Sequence, residues 1–174
     1  MILELRPLSS ERTAQFKDDM REAFQQGAVS EFGELGIEIL PESHIDRSLT
    51  AEGAVAYEAI VDGEFVGGAV VIIDSKTHHN HLDFLYVKVG THSKGVGLAI
   101  WKAIETRHPE TKVWETHTPY FEKRNVHFYV NKCGFHIVEY YNKFHQDPND
   151  VDEMEQLPDN EDFSDFFRFE KVMN

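Results

Sequence analysis

The order of apolar and polar residues at the start of the chain predicts one strand followed by two helices. Apolar and polar residues alternate over residues 2–7, which is the two-residue period of a strand with one buried face. Over residues 11–26 the apolar side chains recur near helical spacing, behind a pair of serines that suits a helix start. Residues 42–49 are predicted to form a second, short helix.

The middle of the chain predicts three antiparallel strands. Residues 54–61 and 65–73 are apolar runs rich in strand-forming side chains. The sequence Asp62-Gly63 between them favours the tight turn of a hairpin. A loop over residues 74–80 then leads into a third apolar run at residues 82–89.

The remaining pattern alternates helix and strand. Residues 96–107 have helical spacing, and residues 112–116 form a short strand. A strand–helix–strand unit implies that strands 82–89 and 112–116 pair in parallel. A helix over 125–132, closed by Gly134, then precedes two strands that we expect to be hairpin partners, at residues 135–142 and 166–172.

The composition is that of a globular chain with a strongly acidic balance. Of 174 residues, 41% are hydrophobic and 28% are charged, which is ordinary, and the length suits a single domain over residues 1–174. Thirty-one acidic residues against 17 basic ones give a formal net charge of -14. A field of that sign repels phosphate backbones, so we expect no nucleic-acid partner, whereas a cationic or amine-bearing partner would be attracted.

Further features of the sequence suggest a cytoplasmic location. No stretch approaches the roughly 18 unbroken apolar residues of a membrane span, and the first residues lack the features of a signal peptide. Cys133 has no second cysteine with which to form an internal disulfide, which fits a reducing compartment. Residues 145–165 are acidic and contain prolines, which predicts a long solvated loop between the last two strands.

A turn containing Gly90, Gly95 and Gly97 joins strand 82–89 to helix 96–107. The backbone N–H groups at a helix start have no intrahelical partner and point outward. This turn is therefore suited to bind a phosphate group.

The order of elements and two motifs resemble the GNAT superfamily of N-acetyltransferases. That family carries a pyrophosphate-binding signature, Gln/Arg-x-x-Gly-x-Gly/Ala, and the matching residues here are His92-Ser93-Lys94-Gly95-Val96-Gly97. The segment HFYVNKCGF at residues 127–135 is similar to the family's tyrosine-containing helix end followed by Gly-Phe. The resemblance implies an α/β fold of the α+β type, with a mixed, mostly antiparallel sheet of about seven strands, a splayed central parallel pair and about four helices.

Two positions depart from the family's usual pattern. His92 stands where Gln or Arg is usual, which alters one contact on the phosphate side. Tyr129 lies five residues before Gly134, one more than the commonest spacing in the family. Such a shift either turns the phenol away from its usual place or is absorbed by a local bulge in the helix.

The resemblance implies an acetyl-CoA-dependent N-acetyltransferase that acts by direct transfer within a ternary complex. Its acceptor would be a primary amine on a small molecule or a protein. The sequence leaves the oligomeric state open, with a homodimer as one option. The alternative is a non-catalytic module of the same fold that binds CoA or acyl-CoA as a sensor or partner domain. The altered His92 position and the spacing of Tyr129 motivate that alternative.

The resemblance also assigns contacts to acetyl-CoA. Backbone groups of Leu85, Tyr86 and Val87 are expected to hold the pantetheine arm and to polarise the thioester carbonyl. Asn125 is expected either to cap its helix or to contact the cofactor. The turn residues are expected to bind the pyrophosphate, chiefly through the amides of the last four: His92, Ser93, Lys94, Gly95, Val96 and Gly97.

Acetyl transfer to an amine requires a base, because a lysine-like amine has a pKa near 10 and must be neutral to attack. Glu115 is the first candidate, since it lies near the point where the two parallel strands should part. Asp83 and His117 are weaker candidates for the base. Tyr129 is the candidate acid that protonates the leaving thiolate.

Neither a metal ion nor a cysteine nucleophile is expected. The cluster His78-His79-Asn80-His81 contains imidazoles of the kind that bind zinc or nickel. It is predicted to lie in a turn, where adjacent residues seldom converge on one ion, and no cysteine is near enough to complete a set. Cys133 is expected to be a small buried apolar residue rather than an activated thiolate.

Overall fold

The computed structural model describes residues 1–34, 36–92, 94–149 and 165–174. Of the sequence predictions, Ser93 and most of the acidic loop, residues 150–164, lie outside the described residues. The elements in chain order are β1 (Leu3–Pro7), a 3-10 turn (Ser10–Arg12), α1 (Thr13–Phe32), α2 (Glu42–Thr50), β2 (Ala54–Val61), β3 (Glu64–Ile72), β4 (His79–Val87), α3 (Val96–Arg107), β5 (Val113–Pro119), α4 (Lys123–His127) continued by a π-helical segment (Phe128–Lys132), β6 (His136–Tyr141) and β7 (Phe166–Val172).

The described strands form one seven-stranded sheet in the order β1-β2-β3-β4-β5-β7-β6. Among the described strands, β4 and β5 form the parallel pair, and the other neighbours are antiparallel. The predicted fold class, the parallel pairing through α3 and the final hairpin pair are therefore confirmed. Among the described helices, none is long and apolar enough to cross a bilayer.

The sheet separates two apolar layers, because neighbouring residues of a strand point to opposite faces. On one face, α3, the π-helical segment and β7 contribute to a core of aromatic and aliphatic side chains: Val71, Leu82, Ile100, Trp101, Trp114, Phe135 and Phe169. On the other face, α1 and α2 cover the sheet with a second cluster: Phe16, Met20, Ile45, Val70 and Tyr86. Helices on both faces leave the end of the β4–β5 pair as the opening into the sheet.

The two central strands pair only at their beginnings. Their parallel register runs from His79↔Val113 to Leu82↔Thr116, although β4 continues to Val87 and β5 to Pro119. At the last paired position, Thr116 Oγ1 donates a hydrogen bond of 2.8 Å to the Leu82 carbonyl. The register of β4 on β3 also shifts at this point, so that Asp83 is an extra residue of the kind that forms a bulge. The predicted splay of the parallel pair therefore begins directly after Leu82.

Three element boundaries differ from the prediction by three residues or more. Helix α1 continues to Phe32 instead of ending near residue 26. Strand β4 begins at His79, so His79 and His81 lie in a strand and not in a turn; the polar Asn80 is accommodated there because its amide donates to Thr111 Oγ1 at 2.8 Å. Strand β5 extends to Pro119 and so includes His117.

Candidate active site

The chain passes from β4 to α3 through a turn at Gly95, which has a left-handed backbone conformation with φ of 81°. Glycine adopts this conformation without the steric cost that a side chain brings. The first helical hydrogen bond runs from the Ala99 N–H to the Gly95 carbonyl, at 3.0 Å. The amides of Val96 and Gly97 therefore point out of the helix start, where a helix attracts an anion.

Gly97 lies where three elements pack together. A Cβ at this position would stand 3.4 Å from two atoms of the Phe128 ring and 3.6 Å from Val87 Cγ2. The start of α3 therefore lies against the end of β4 and the beginning of the π-helical segment. An added Cβ would be in ordinary van der Waals contact with both elements.

The other predicted turn residues divide into buried and exposed positions. The Val96 side chain is buried in the core, so it offers a ligand only its backbone. His92 and Lys94 are exposed. Lys94 can thus bring a positive charge to the turn of a protein whose net charge is -14.

The end of β4 turns part of its backbone away from β3. The Lys88 N–H donates to β3 at 2.8 Å, and the Tyr86 carbonyl faces β3 so closely that a Cβ on Gly67 would collide with it. Peptide groups alternate in direction along a strand, so those of Leu85 and Val87 face the opposite side, beyond the point where β5 pairs. These polar groups fit an amide-bearing chain such as pantetheine, and the glycine turn beside them fits its pyrophosphate.

The gap between β4 and β5 opens into a cleft of about 630 Å³. Among the residues predicted from sequence, Leu85, Asn125 and Tyr129 line this cleft together with Asp83 and His117. The remaining lining comes largely from α1, α2, the segment between them and the residues after β6. Two candidate proton-transfer groups, His117 and Tyr129, therefore share one cavity at the end of the splayed strands.

Tyr129 lies in the π-helical segment, in which the Cys133 N–H donates to the Phe128 carbonyl five residues earlier, at 3.0 Å. This wider turn absorbs the extra residue before Gly134, and the Tyr129 side chain still lines the cleft. Of the two outcomes that the spacing left open, the structure shows the local bulge. Burial raises the pKa of the Tyr129 hydroxyl, which keeps it protonated at neutral pH.

Cys133 is buried, and it is not among the described residues that line the cleft. Burial raises the pKa of its thiol to about 12. The thiol is therefore protonated at neutral pH, and only a thiolate is an effective nucleophile.

Glu115 does not line the cleft within the described part of the chain. Its Oε1 accepts one hydrogen bond from the Arg168 guanidinium at 3.1 Å and lies 3.2 Å from His79 Nε2. Burial alone would raise the pKa of this carboxyl, but the neighbouring His81 and His117, the bond from His79 and the charge of Arg168 outweigh it and lower the pKa. The lowered pKa and the two partners of Oε1 make Glu115 a weak proton acceptor, and among the described residues it lies outside the cleft lining.

Two histidines from the parallel pair meet beside Glu115. His81 Nε2 lies 3.0 Å from His117 Nδ1, and His81 Nδ1 lies 2.6 Å from Asp83 Oδ1. The Ser48 hydroxyl of α2 donates to the other oxygen of Asp83 at 2.5 Å. Burial lowers the pKa of His117, and the neighbouring His81 lowers it further. A neutral imidazole in the cleft can accept a proton from a bound amine.

The same donor atoms are close enough to be considered as a metal site. One nitrogen each of His81 and His117 and a carboxylate oxygen of Glu115 lie within 4.8 Å of one another. The ring centroids are 5.1 Å apart and the facing nitrogens 3.0 Å apart, so the imidazoles meet edge to edge with the nitrogens directed at each other. A hydrogen bond uses this head-on arrangement, whereas two metal ligands direct their lone pairs to a point beside the line between them.

Acidic groups predominate in the described lining of the cleft. Glu38, Asp83, Glu122 and Asp147 are acidic, and Arg47 is the basic residue other than histidine. Burial raises the pKa of the Glu122 carboxyl, and the nearby Glu31 raises it further. The cleft therefore favours a positively charged ligand on the side that the donor does not fill.

From the sequence, His81 was considered only within the histidine cluster as a metal ligand, and Asp83 and His117 were ranked below Glu115. The available signal was the spacing of these residues. His81 and Asp83 are two residues apart, as are Glu115 and His117, and residues two apart in a strand point to the same face. Whether the two pairs meet depends on the register of β4 on β5 and on the number of residues that pair. Neither quantity was apparent from the sequence.

Comparison with known proteins agrees with this geometry. Residues 14–135 match the model of the acetyltransferase (GNAT) family. The chain is 47% identical to the uncharacterized protein YrkN of Bacillus subtilis (strain 168), over 99% of this chain and 94% of that protein.

Solved structures share the fold at low sequence identity. The PaiA N-acetyltransferase of Thermoplasma acidophilum, in complex with coenzyme A, has a TM-score of 0.67 and 20% identity over 99% of this chain and 100% of that one. A GNAT family acetyltransferase from Elizabethkingia anophelis with acetyl-CoA bound has a TM-score of 0.68 and 14% identity over 98% of both chains. With its sheet, its glycine turn and a family match over most of its length, the chain belongs to the GNAT family of acetyltransferases, whose acetyl donor is acetyl-CoA.

Proposed function

We propose that this protein transfers the acetyl group of acetyl-CoA to a primary amine of a small molecule or a protein, by direct attack within a ternary complex. The observation that carries the proposal is the gap beyond Leu82 and Thr116, which opens into a cleft lined by both His117 and Tyr129. Acetyl-CoA supplies the acetyl group as a thioester. The chain's own residues have to hold this donor, orient the amine and move two protons.

The donor is held by the end of β4 and the start of α3. The backbone groups of Leu85 and Val87 face the gap and suit the pantetheine amides. The Tyr86 carbonyl faces β3 instead, and the Tyr86 ring packs against Phe16. The amides of Val96 and Gly97, with the charge of Lys94, suit the pyrophosphate. His92, exposed beside them, takes the position of the family's Gln or Arg, and Asn125 lines the cleft where it can reach the donor.

The amine must lose two protons on the way from ammonium to amide. His117 is placed to accept the first, because it lines the cleft and a lowered pKa keeps it neutral. Tyr129 is placed to protonate the sulfur as the bond to the acetyl carbon breaks, and it regains a proton from the nitrogen that has attacked. His117 therefore replaces Glu115 as the proposed base, because His117 lines the cleft and Glu115 is not among the described residues that do.

The acceptor is proposed to be cationic at neutral pH. The carboxylates of Asp83, Asp147, Glu38 and Glu122 outnumber Arg47 in the described lining, and the whole chain carries a net charge of -14. An ammonium group gains from such a field on approach, whereas a carboxylate-bearing acceptor is repelled.

A panel of amines tests this proposal. Diamines, lysine-containing peptides and acceptors that carry extra carboxylates are incubated with acetyl-CoA, and products are identified by mass. Initial rates that vary both substrates should give intersecting lines; parallel lines would indicate an acetylated protein intermediate and contradict direct transfer. Tight acetyl-CoA binding with no transfer to any amine would instead favour the non-catalytic sensor or partner module.

The setting of this activity is also part of the proposal. We propose that residues 1–174 act as one domain, as a monomer or homodimer in the cytoplasm, with neither nucleic acid nor membrane as partner. The acidic balance and the single, buried Cys133 support this setting. Sedimentation at several concentrations decides the assembly, and cell fractionation decides the location.

A further inference from the structure

We propose that His81 and His117 form a two-imidazole proton relay, in which Asp83 and Glu115 hold on His81 the proton that His117 takes from the amine. The relay rests on the proposed acetyl transfer, and it assigns to His81, Asp83 and Ser48 roles that sequence reasoning did not give them. His117 is the catalytic residue in this scheme, since it touches the amine. His81, Asp83, Glu115 and Ser48 are positioning residues.

The hydrogen bonds determine where the protons of the neutral pair lie. The Asp83 carboxylate can only accept, so the proton on its 2.6 Å bond belongs to His81 Nδ1. A neutral His81 then presents a lone pair at Nε2, and the 3.0 Å bond to it has to be donated by His117 Nδ1–H. His117 consequently keeps its free lone pair at Nε2. One carboxylate on β4 thus decides which nitrogen of a histidine on β5 is basic.

The position of Asp83 is itself fixed from two sides. The shift of register on β3 makes it the extra residue of β4 at the point where the parallel pair ends. The Ser48 hydroxyl then holds its second oxygen at 2.5 Å. This contact ties the relay to α2, which lines the acceptor side of the cleft.

The proton transfers balance without another reactant. As an N–H bond of the ammonium breaks, a bond forms to His117 Nε2; as the His117 Nδ1–H bond breaks, a bond forms to His81 Nε2. His81 is then a cation between the carboxylates of Asp83, at 2.6 Å, and Glu115, at 3.6 Å. His117 is neutral again during the attack, and after the amide leaves the proton returns along the same path to solvent.

Asp147 offers a counter-charge for the incoming amine. Its Oδ2 lies 3.9 Å from His117 Nε2, which is too far for a hydrogen bond between the two groups. An ammonium in the cleft can donate one proton to His117 and another to Asp147. The gap between these two atoms therefore fits the charged end of the acceptor.

The charged surroundings of the pair come from four parts of the chain. Carboxylates approach from β4, from β5 and from the segment after β6, and a guanidinium approaches from β7 behind Glu115. Their three carboxylates outnumber the one guanidinium, so their combined charge attracts the proton that the relay carries. The groups are Asp83, Glu115, Asp147, Arg168 and His79.

Nitrogen NMR of the full-length protein tests the relay without any turnover. Imidazole ¹⁵N shifts at neutral pH, assigned with His81→Gln and His117→Gln, should show Nδ1–H on both histidines. Asp83→Asn preserves size and can donate to His81 Nδ1, so it should move the proton of His117 from Nδ1 to Nε2. An Nε2–H on His117 in the wild-type protein would overturn the relay.

Kinetics with the same Asp83→Asn variant gives the second test. In this variant His117 Nε2 should carry a proton instead of a free lone pair, so it should accept a proton from the amine poorly. We therefore expect kcat to fall about 10²-fold or more while KM for acetyl-CoA stays unchanged. The acid limb of kcat/KM should move to lower pH, because the pair loses a carboxylate that favours its protonation. His136→Gln, an exposed histidine on β6, is the matched control with unchanged kinetics. Wild-type kcat and pH profile in Asp83→Asn would refute the relay, whereas absence of turnover in the wild-type protein would refute the proposed function.

Discussion

His81 Nε2 and His117 Nδ1 lie 3.0 Å apart across the parallel strands β4 and β5, although 36 positions separate the two residues in the chain. The register His81↔Glu115 places His117 two residues further along β5, on the same face as Glu115. Pairing has ended by then, at Leu82 and Thr116. The two imidazoles therefore meet at the mouth of the gap in which the donor is proposed to bind.

The glycine turn predicts a selective loss of CoA binding. Gly95→Asp places a negative charge at the helix start that is proposed to hold the pyrophosphate, and the CoA affinity should fall about tenfold or more. Gly63→Asp is the control, since Gly63 has the same φ of 81° and no atom within 4 Å of its added Cβ, but lies in the β2–β3 turn. Calorimetry with CoA measures both variants, and equal affinities would contradict the proposed pyrophosphate site.

Tyr129→Phe should lower kcat by about 10²-fold and leave CoA affinity unchanged, because it removes the proposed acid while keeping the ring in its aromatic neighbourhood. Tyr120→Phe changes a half-exposed tyrosine outside the described cleft lining and serves as the control. Steady-state rates and CoA titrations are compared at one pH. A Tyr129→Phe variant with the kcat of the wild-type protein would remove Tyr129 from the mechanism.

The fold could be predicted from the sequence because the pattern of each element lies in consecutive residues. The Asp62-Gly63 hairpin, the β4–turn–α3 unit and the closing Gly134 all depend on neighbouring residues alone. The proton-transfer site depends on distant pairs: the bulge at Asp83 and the length of β5 decide that His81 meets His117. The spacing between Tyr129 and Gly134 fits either a rotated phenol or a π-helical turn, and the Cys133-to-Phe128 hydrogen bond identifies the turn.

Acid should destabilise the protein through the carboxylates around Arg168. The hydrogen bond from His145, then those from Arg168 and Tyr141, lower the pKa of Glu139 to about 2 from its ordinary 4.5. A depressed folded-state pKa contributes stability above pH 4.5, and that contribution is lost as the pH falls towards 2. The melting temperature should therefore decline over this range.

Arg168→Met tests the source of that decline. Arg168 donates to Glu139 at 2.8 Å and to Glu115 at 3.1 Å, so its loss should raise both carboxyl pKa values. The variant should be less stable at neutral pH and show a smaller fall in melting temperature between pH 4.5 and 2. Lys102→Met, which removes an exposed positive charge from α3, should keep the wild-type slope. The same slope in Arg168→Met would assign the acid sensitivity to other groups.

Thr116 is predicted to set the point at which the central strands part. Its buried hydroxyl donates to the Leu82 carbonyl at the last paired position, 2.8 Å away. Thr116→Val keeps the shape but leaves that carbonyl without its donor, so the free energy of unfolding should fall by about 1 kcal/mol. Because the gap that is proposed to hold pantetheine begins there, the CoA affinity should fall as well. Thr106→Val, which removes an exposed hydroxyl bonded within α3, should change neither quantity to that extent. A loss of stability with unchanged CoA affinity would mean that the bulge at Asp83, and not the Thr116 bond, holds the strands apart.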